Sequence, residues 1–145
     1  MTEIAVHARE EHRSLAASAE AVLRAVLVRL AADSAGDLAL VLADDAELQR
    51  LNLTFRGVDA PTDVLSFAAA PLPAHTPEPA CLGDIVISVP FAARSAEAAG
   101  RELEREVQLL AVHGLLHLLG HDDATEEAAA EMHRLEIDLG VRPAD

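Results

Sequence analysis

Six apolar residues stand in a row at Leu38–Ala43 (LALVLA), with Gly36 and Asp37 before them and Asp44 after. A run that short cannot cross a bilayer and reads as a buried strand. Three other segments have strand character: 3–7 (EIAVH), Thr62–Phe67 (TDVLSF) and Gly83–Ser88 (GDIVIS), the last two alternating apolar and polar residues. Between them lie helical patterns. From His12 to Ala32, Leu15, Ala19, Val22, Val26 and Leu30 recur at spacings of three and four, the stripe of an amphipathic helix. Asp44 with Glu47 forms a capping-box pattern that opens a short helix through about Leu51. Ser88 and Pro90 start a helix that Gly100 ends. Arg101–Leu119 is a long helix stopped by Gly120, and Thr125–Leu139 a last one stopped by Gly140. Residues 68–80 (AAAPLPAHTPEPA) hold four of the seven prolines and read as an extended loop, long enough to be either functional or disordered. The order strand, helix, strand, helix, strand, loop, strand, three helices predicts an α/β or α+β sandwich around a small mixed sheet. At 145 residues the chain fits a single domain, 1–145.

Composition removes several functions. All 11 cationic side chains are arginines, so a Schiff-base lysine and a P-loop lysine are both excluded. There is no Trp or Tyr, and Phe55, Phe67 and Phe91 are the whole aromatic complement, few for gripping single-stranded nucleic acid by base stacking. The net charge of −14 opposes polyanion binding through a general field, so any nucleic-acid contact has to be local. Cys81 is the single cysteine, more fitting as a small packing residue than as a nucleophile, and points to no oxidising compartment. The N-terminal stretch mixes acids with its few cations and has no continuous apolar run, unlike a signal peptide. A soluble, cytoplasmic domain is expected, with no membrane or DNA partner.

The densest chemical information lies in His113-Gly-Leu-Leu-His117-Leu-Leu-Gly120-His121-Asp122-Asp123. Residues four apart on a helix differ in direction by only about 40°, so His113 and His117 project from one face and can share an ion. Gly120 lets the chain turn so that a residue beyond it swings back as a third ligand. Two histidines and a third ligand leave a coordination position open, which is the pattern of a catalytic zinc rather than a closed structural one. The alternative, an ordinary pair of histidines on an apolar helix, is weakened by the glycine and the His-Asp-Asp that follows. For the third ligand Asp123 is preferred on spacing, ten residues after His113, although with Glu126 it also fits an N-cap pair for the last helix. His121 is the rival, and Asp122 is a candidate to hold a ligating imidazole in its tautomer. After His113, where a zinc peptidase carries its general-base Glu, stands Gly114. A peptidase reading therefore drops to second place.

These residues resemble the signature of the YbeY family of bacterial endoribonucleases, His-Gly-x-Leu-His-Leu-x-Gly-Tyr/His-Asp-His, matched by Val112 through Asp122. LNLTFRGVDAPTDVLSF at 51–67, LGDIVIS at 82–88, and Met132 with Glu136 follow the family pattern in the same order, so the resemblance spans about residues 38–140. The final signature histidine is replaced by Asp123, which can still ligate zinc but makes the centre harder and more anionic. The resemblance implies an α+β fold, a small mixed β-sheet packed with helices and a zincin-like metal-bearing helix similar to the metalloprotease catalytic domain. It also implies one zinc per chain, held by His113, His117 and Asp123.

The activity implied is hydrolysis of single-stranded RNA in rRNA processing, at the 3′ end of the small-subunit rRNA, and in ribosome quality control. A ribosome or ribosomal protein is expected to deliver the RNA. Arg56, in Asn52-x-x-Phe55-Arg56, is the residue expected to hold the phosphate with its planar fork of donors, the alternative being a structural pair with Asp59 or Asp63. No residue stands out as a general base. Asp63 and Asp84 are candidates through water, with loop bracing as their alternative role. Two further readings stay open: a non-catalytic ribosome assembly or binding factor with a structural metal, and a metal hydrolase of another substrate.

Overall fold

The computed structural model describes residues 2–69 and 81–144, so the loop read at 68–80 lies, from residue 70 onward, outside the described residues. Four strands, β1 (Ile4–His7), β2 (Asp37–Ala43), β3 (Val64–Ala68) and β4 (Cys81–Ser88), form one sheet in the order β1-β2-β4-β3. β1, β2 and β4 run parallel, and β3 lies antiparallel on β4, with Leu65 opposite Val86 and Phe67 opposite Asp84. The sheet is mixed and the architecture α+β, as the sequence and its family resemblance predict.

The apolar run of β2 is explained by cover on both faces. Leu38, Leu40 and Leu42 enter the main core with Ile85 and Ile87 of β4, against helices α1 (Arg13–Arg29), α3 (Val89–Ala99) and α4 (Leu103–Leu118). On the opposite face Val41 and Ala43 pack with Leu65, Val86 and Leu48, the last contributed by α2 (Asp45–Arg56). α5 (Glu126–Asp138) closes the main core through Met132. A strand with helices on either side has no water-facing row, and alternation disappears from its sequence.

Helix ends follow their caps. Asp44 accepts from the Glu47 N–H at 3.0 Å to open α2, and Ser88 accepts from the Phe91 N–H to open α3 with Pro90 in its first turn. α2 runs one turn past Leu51, to Arg56, because no breaker intervenes before Gly57, whose φ of 71° takes the left-handed cap conformation. Buried Asn52 then donates to the Ala60 carbonyl at 2.9 Å, tying the next loop to the helix. Strand β3 begins at Val64, two residues later than predicted, since the Asp63 carboxylate bonds the Val64 N–H in a local turn.

α4 approaches β3 and β4 more closely than a side chain between them permits. A Cβ on Gly114 would stand 2.8 Å from Ile85 Cγ2 and 2.9 Å from Ser66 Oγ, and the Ser66 hydroxyl donates to the Gly114 carbonyl at 3.0 Å. Gly83 of β4 has φ +147°, and a Cβ there would collide with the Phe67 carbonyl oxygen as well as with Leu118 of α4. Overpacking and backbone strain thus act together at this one position. Gly83→Ala is expected to destabilise the chain by about 3 kcal/mol, read as a lower denaturant midpoint with an unchanged slope. A midpoint within experimental error of the parent would contradict this packing.

Candidate metal centre

α4 is apolar on nearly all sides, and its two histidines face the one side that opens to a groove. This groove, about 930 Å³, is lined by His113, His117, Asp123, Arg56 and Asp63, with strand β3 along one wall. His113 and His117 lie one turn apart, their rings edge-on with centroids 4.7 Å apart. Their Nε2 atoms are 3.2 Å apart, and Asp123 Oδ2 stands 3.7 Å from the first and 3.8 Å from the second. Donor atoms about 2.0–2.1 Å from a tetrahedrally bound ion sit roughly 3.3 Å from one another. The triangle is therefore of the size that a single ion requires, and its two nitrogens and one carboxylate oxygen form a donor set suited to a divalent metal.

The chain returns Asp123 to this triangle by the turn at Gly120, whose φ is +102°. The His121 ring is not part of the cluster; its backbone N–H closes the helix end by donating to the Leu116 carbonyl five residues back, and its side chain is exposed. Thr125, rather than Asp123, caps α5, its hydroxyl accepting from the Ala128 N–H at 3.0 Å. That leaves the Asp123 carboxylate available to the groove. Among the described residues Asp122 braces no imidazole through a hydrogen bond; it accepts from the Ala124 N–H and shapes the turn.

The carboxylate that does brace an imidazole is Glu136. It is 1% exposed, and its Oε2 lies 2.9 Å from His113 Nδ1. Arg142 grips the other oxygen, with Nε and Nη2 at 3.2 and 3.0 Å from Oε1. A carboxylate on Nδ1 fixes that nitrogen as the donor and turns Nε2, with its lone pair, toward the groove. Burial pushes Glu136 upward, but the hydrogen bond and charge of His113, together with Arg142, outweigh it and hold the carboxyl below its usual range. The hydrogen bond to Glu136 raises the His113 pKa against the opposing effect of burial. His117 moves the other way, lowered by burial and by its neighbour His113. The sequence reading singled out Glu136 only as matching the family pattern and missed Arg142. Only the crossing of α5 over α4 brings them to His113.

Arg56, the last residue of α2, is exposed on the groove and makes no ion pair among the described residues. Neither structural partner expected of it is engaged with it: Asp59 accepts from Gln49 at 2.9 Å, and Asp63 from the Val64 N–H at 2.7 Å. Asp63 lines the groove and its charge reaches His113, whereas Asp84 is exposed on the sheet face away from α4 and does not line the groove.

Fold and centre together define a small α+β protein with a metal-capable His-His-Asp cluster on a sheet-backed helix. A family model described as Endoribonuclease YbeY matches residues 3–141, and the chain belongs to the YbeY family. A protein of Gloeobacter violaceus named Endoribonuclease YbeY is 54% identical over 105 residues, covering 70% of this chain and 54% of that protein. One of Moorella thermoacetica with the same name is 48% identical over 117 residues, covering 77% of this chain and 75% of that one. The chain thus spans about half the length of the first relative and three quarters of the second. The solution structure of a Thermotoga maritima protein superposes with a TM-score of 0.64 over 96% of this chain and 86% of that one, at 23% identity, a likeness of fold.

Replacing Glu136 by Gln is expected to weaken metal binding about 10- to 100-fold, measured by competition with a chromophoric chelator. The pH dependence has a definite sign. Metal requires His113 unprotonated, and its pKa is raised, so affinity in the parent starts to fall on acidification above about pH 6.5, the ordinary histidine value. In metal-free protein the His113–Glu136 pair contributes stability fully present below the unfolded histidine value and lost as pH rises through the raised one. At the acid end it is lost as pH falls through the lowered Glu136 value. The stability gap between parent and Glu136→Gln is therefore expected to be wider at about pH 5.5 than at about pH 9; an equal gap would show that the pair is not charged.

Proposed function

We propose that this chain is a metal-dependent endoribonuclease that cuts single-stranded RNA, with His113, His117 and Asp123 holding one zinc ion and Arg56 binding the phosphate at the cut. What supports the reading most is the convergence of three donor atoms in a groove that also holds a guanidinium without an ion pair among the described residues. Zinc held by these three residues would supply Lewis acidity toward a phosphoryl oxygen and would lower the pKa of a water. The chain's own residues do the remaining work. Glu136 and Arg142 keep Nε2 of His113 turned to the groove. Arg56 offers parallel donors to two phosphate oxygens and stabilises charge that grows on them. Asp63, which lines the groove, would take a proton through water.

Family membership supports RNA as the substrate class. A chain of net charge −14 gains no general attraction to RNA, so recognition is local and delivery by a ribosome or ribosomal protein suits it. Processing of the small-subunit rRNA 3′ end and ribosome quality control, in the cytoplasm, by one domain over 1–145, fit this reading; no helix among the described residues is long and apolar enough to cross a membrane. Peptide hydrolysis is disfavoured sterically as well as chemically, because position 114 has no room for a glutamate. Asp123 in place of the family's last signature histidine favours a second reading, a ribosome-binding factor whose metal only stiffens the fold.

The test is metal content beside cleavage of a single-stranded RNA, with and without chelator. About one zinc per chain is expected, lost in Asp123→Ala and kept in His121→Ala, with cleavage abolished by chelation. Arg56→Ala is expected to keep its metal while cleavage falls about 10²- to 10³-fold. Unchanged cleavage and RNA affinity in Arg56→Ala would remove that residue's role. Metal retention without any cleavage, even on ribosomal subunits, would put the binding factor first.

A further inference from the structure

Phe55 occupies the last turn of α2 and is 64% exposed, a large apolar ring left in water beside the metal-capable cluster. It lines the same groove as His113, His117 and Asp123, and so does the next residue, Arg56, so a ring and a guanidinium are both presented to one groove. The ring is also supported. Phe67 of β3 lies against it with centroids 5.1 Å apart and planes inclined at 58°. The Gly57 cap and the bond from Asn52 to the Ala60 carbonyl fix the backbone on which it stands. The chain has three phenylalanines and no Trp or Tyr, and two of the three are in this pair.

The other exposed apolar side chains nearby, Leu53 and Val58, do not line the groove. Residues 53 and 55 point about 200° apart on a helix, so Leu53 and Phe55 share no apolar face. What remains is one flat apolar surface in the groove that also holds the guanidinium proposed above to bind phosphate. An unpaired nucleotide has that shape, since its base is free to stack on an aromatic ring while its phosphate meets a cation. A base inside a duplex has both faces covered.

We propose that Phe55, backed by Phe67, is the platform on which a nucleobase flanking the cut phosphate stacks, and that this contact selects unpaired RNA. The inference rests on the nuclease reading above and adds a subsite to it. Cleavage kinetics of a single-stranded oligoribonucleotide, compared with the same oligomer carrying an abasic residue at each position in turn, test it. Phe55→Ala and Phe55→Leu are both expected to raise KM about tenfold or more with kcat within about twofold of the parent, and Phe55→Trp to preserve KM. An abasic residue beside the cut should raise the parent's KM by the same factor and leave that of Phe55→Ala unmoved. Because the chain has no tryptophan of its own, Phe55→Trp also carries a lone fluorophore, whose emission should be quenched by the single strand and not by its duplex. A parental KM in Phe55→Leu would mean that apolar bulk rather than an aromatic face is used, and would overturn the proposal. Full parental cleavage that ignores every abasic position would overturn it while leaving the nuclease reading intact. No binding and no cleavage by the parent would remove both.

Discussion

A helix can present imidazoles in fixed positions only if it cannot roll or slide, and in this chain the contact of α4 with the sheet prevents both. Gly114 brings the helix backbone against Ile85 and Ser66, and Gly83 lets β4 pass beneath Leu118. The Ser66–Gly114 hydrogen bond adds a polar pin at the same level as the histidines. The core on the other flank of α4 is made of Val107, Ala111 and Leu115, all 0% exposed, so the helix is clamped from two directions. Packing to that density resists small displacements, and between Leu109 and His117 the residues of α4 left partly exposed are His113 and His117.

Charge is arranged on a similar principle of local exception. Two of the arginines on the groove are already committed: Arg142 to Glu136, and Arg101 to Glu106, at 2.9 Å between Nη2 and Oε1. Both glutamates are nearly inaccessible to water, and a buried carboxylate without a cation would be costly. These arginines thus hold the walls in place without offering net positive charge. Arg56 is different, exposed at the end of α2 without an ion pair among the described residues. In a chain this acidic, a single available guanidinium stands out electrostatically more than it would on a basic surface.

The elements whose boundaries are written in adjacent residues were legible. Asp44 with Glu47, Ser88 with Pro90, and Gly100 each act within one turn of where they stand, and each does in the fold what its chemistry predicts. The histidine pair was legible for the same reason, since helical spacing alone puts both on one face. α2 was read too short because the decisive signal was the left-handed glycine at 57 rather than a change in apolar pattern. Competition between neighbouring polar residues left the cap of the last helix open, although its start at Thr125 was legible. Asp123 and Thr125 can both cap, and the choice of Thr125 depends on where the turn after Gly120 sends the chain. The brace on His113 was beyond any local rule. Asp122 was the nearby candidate, yet the bond is made by a residue 23 positions away, and only the packing of α5 across α4 decides that.

Strand β3 is an edge of the sheet, hydrogen-bonded to β4 on one side and without a strand partner on the other among the described residues. All of Val64–Ala68 lines the groove. An edge strand carries a row of main-chain donors and acceptors that its own sheet does not use. The acceptors belong to every amino acid and the donors to all but proline, so both are indifferent to which other side chains evolution or an experimenter places along 64–68. Scanning the wall with alanine would leave the row standing, and a family drifting in sequence could change its groove's side chains while inheriting the same backbone rail.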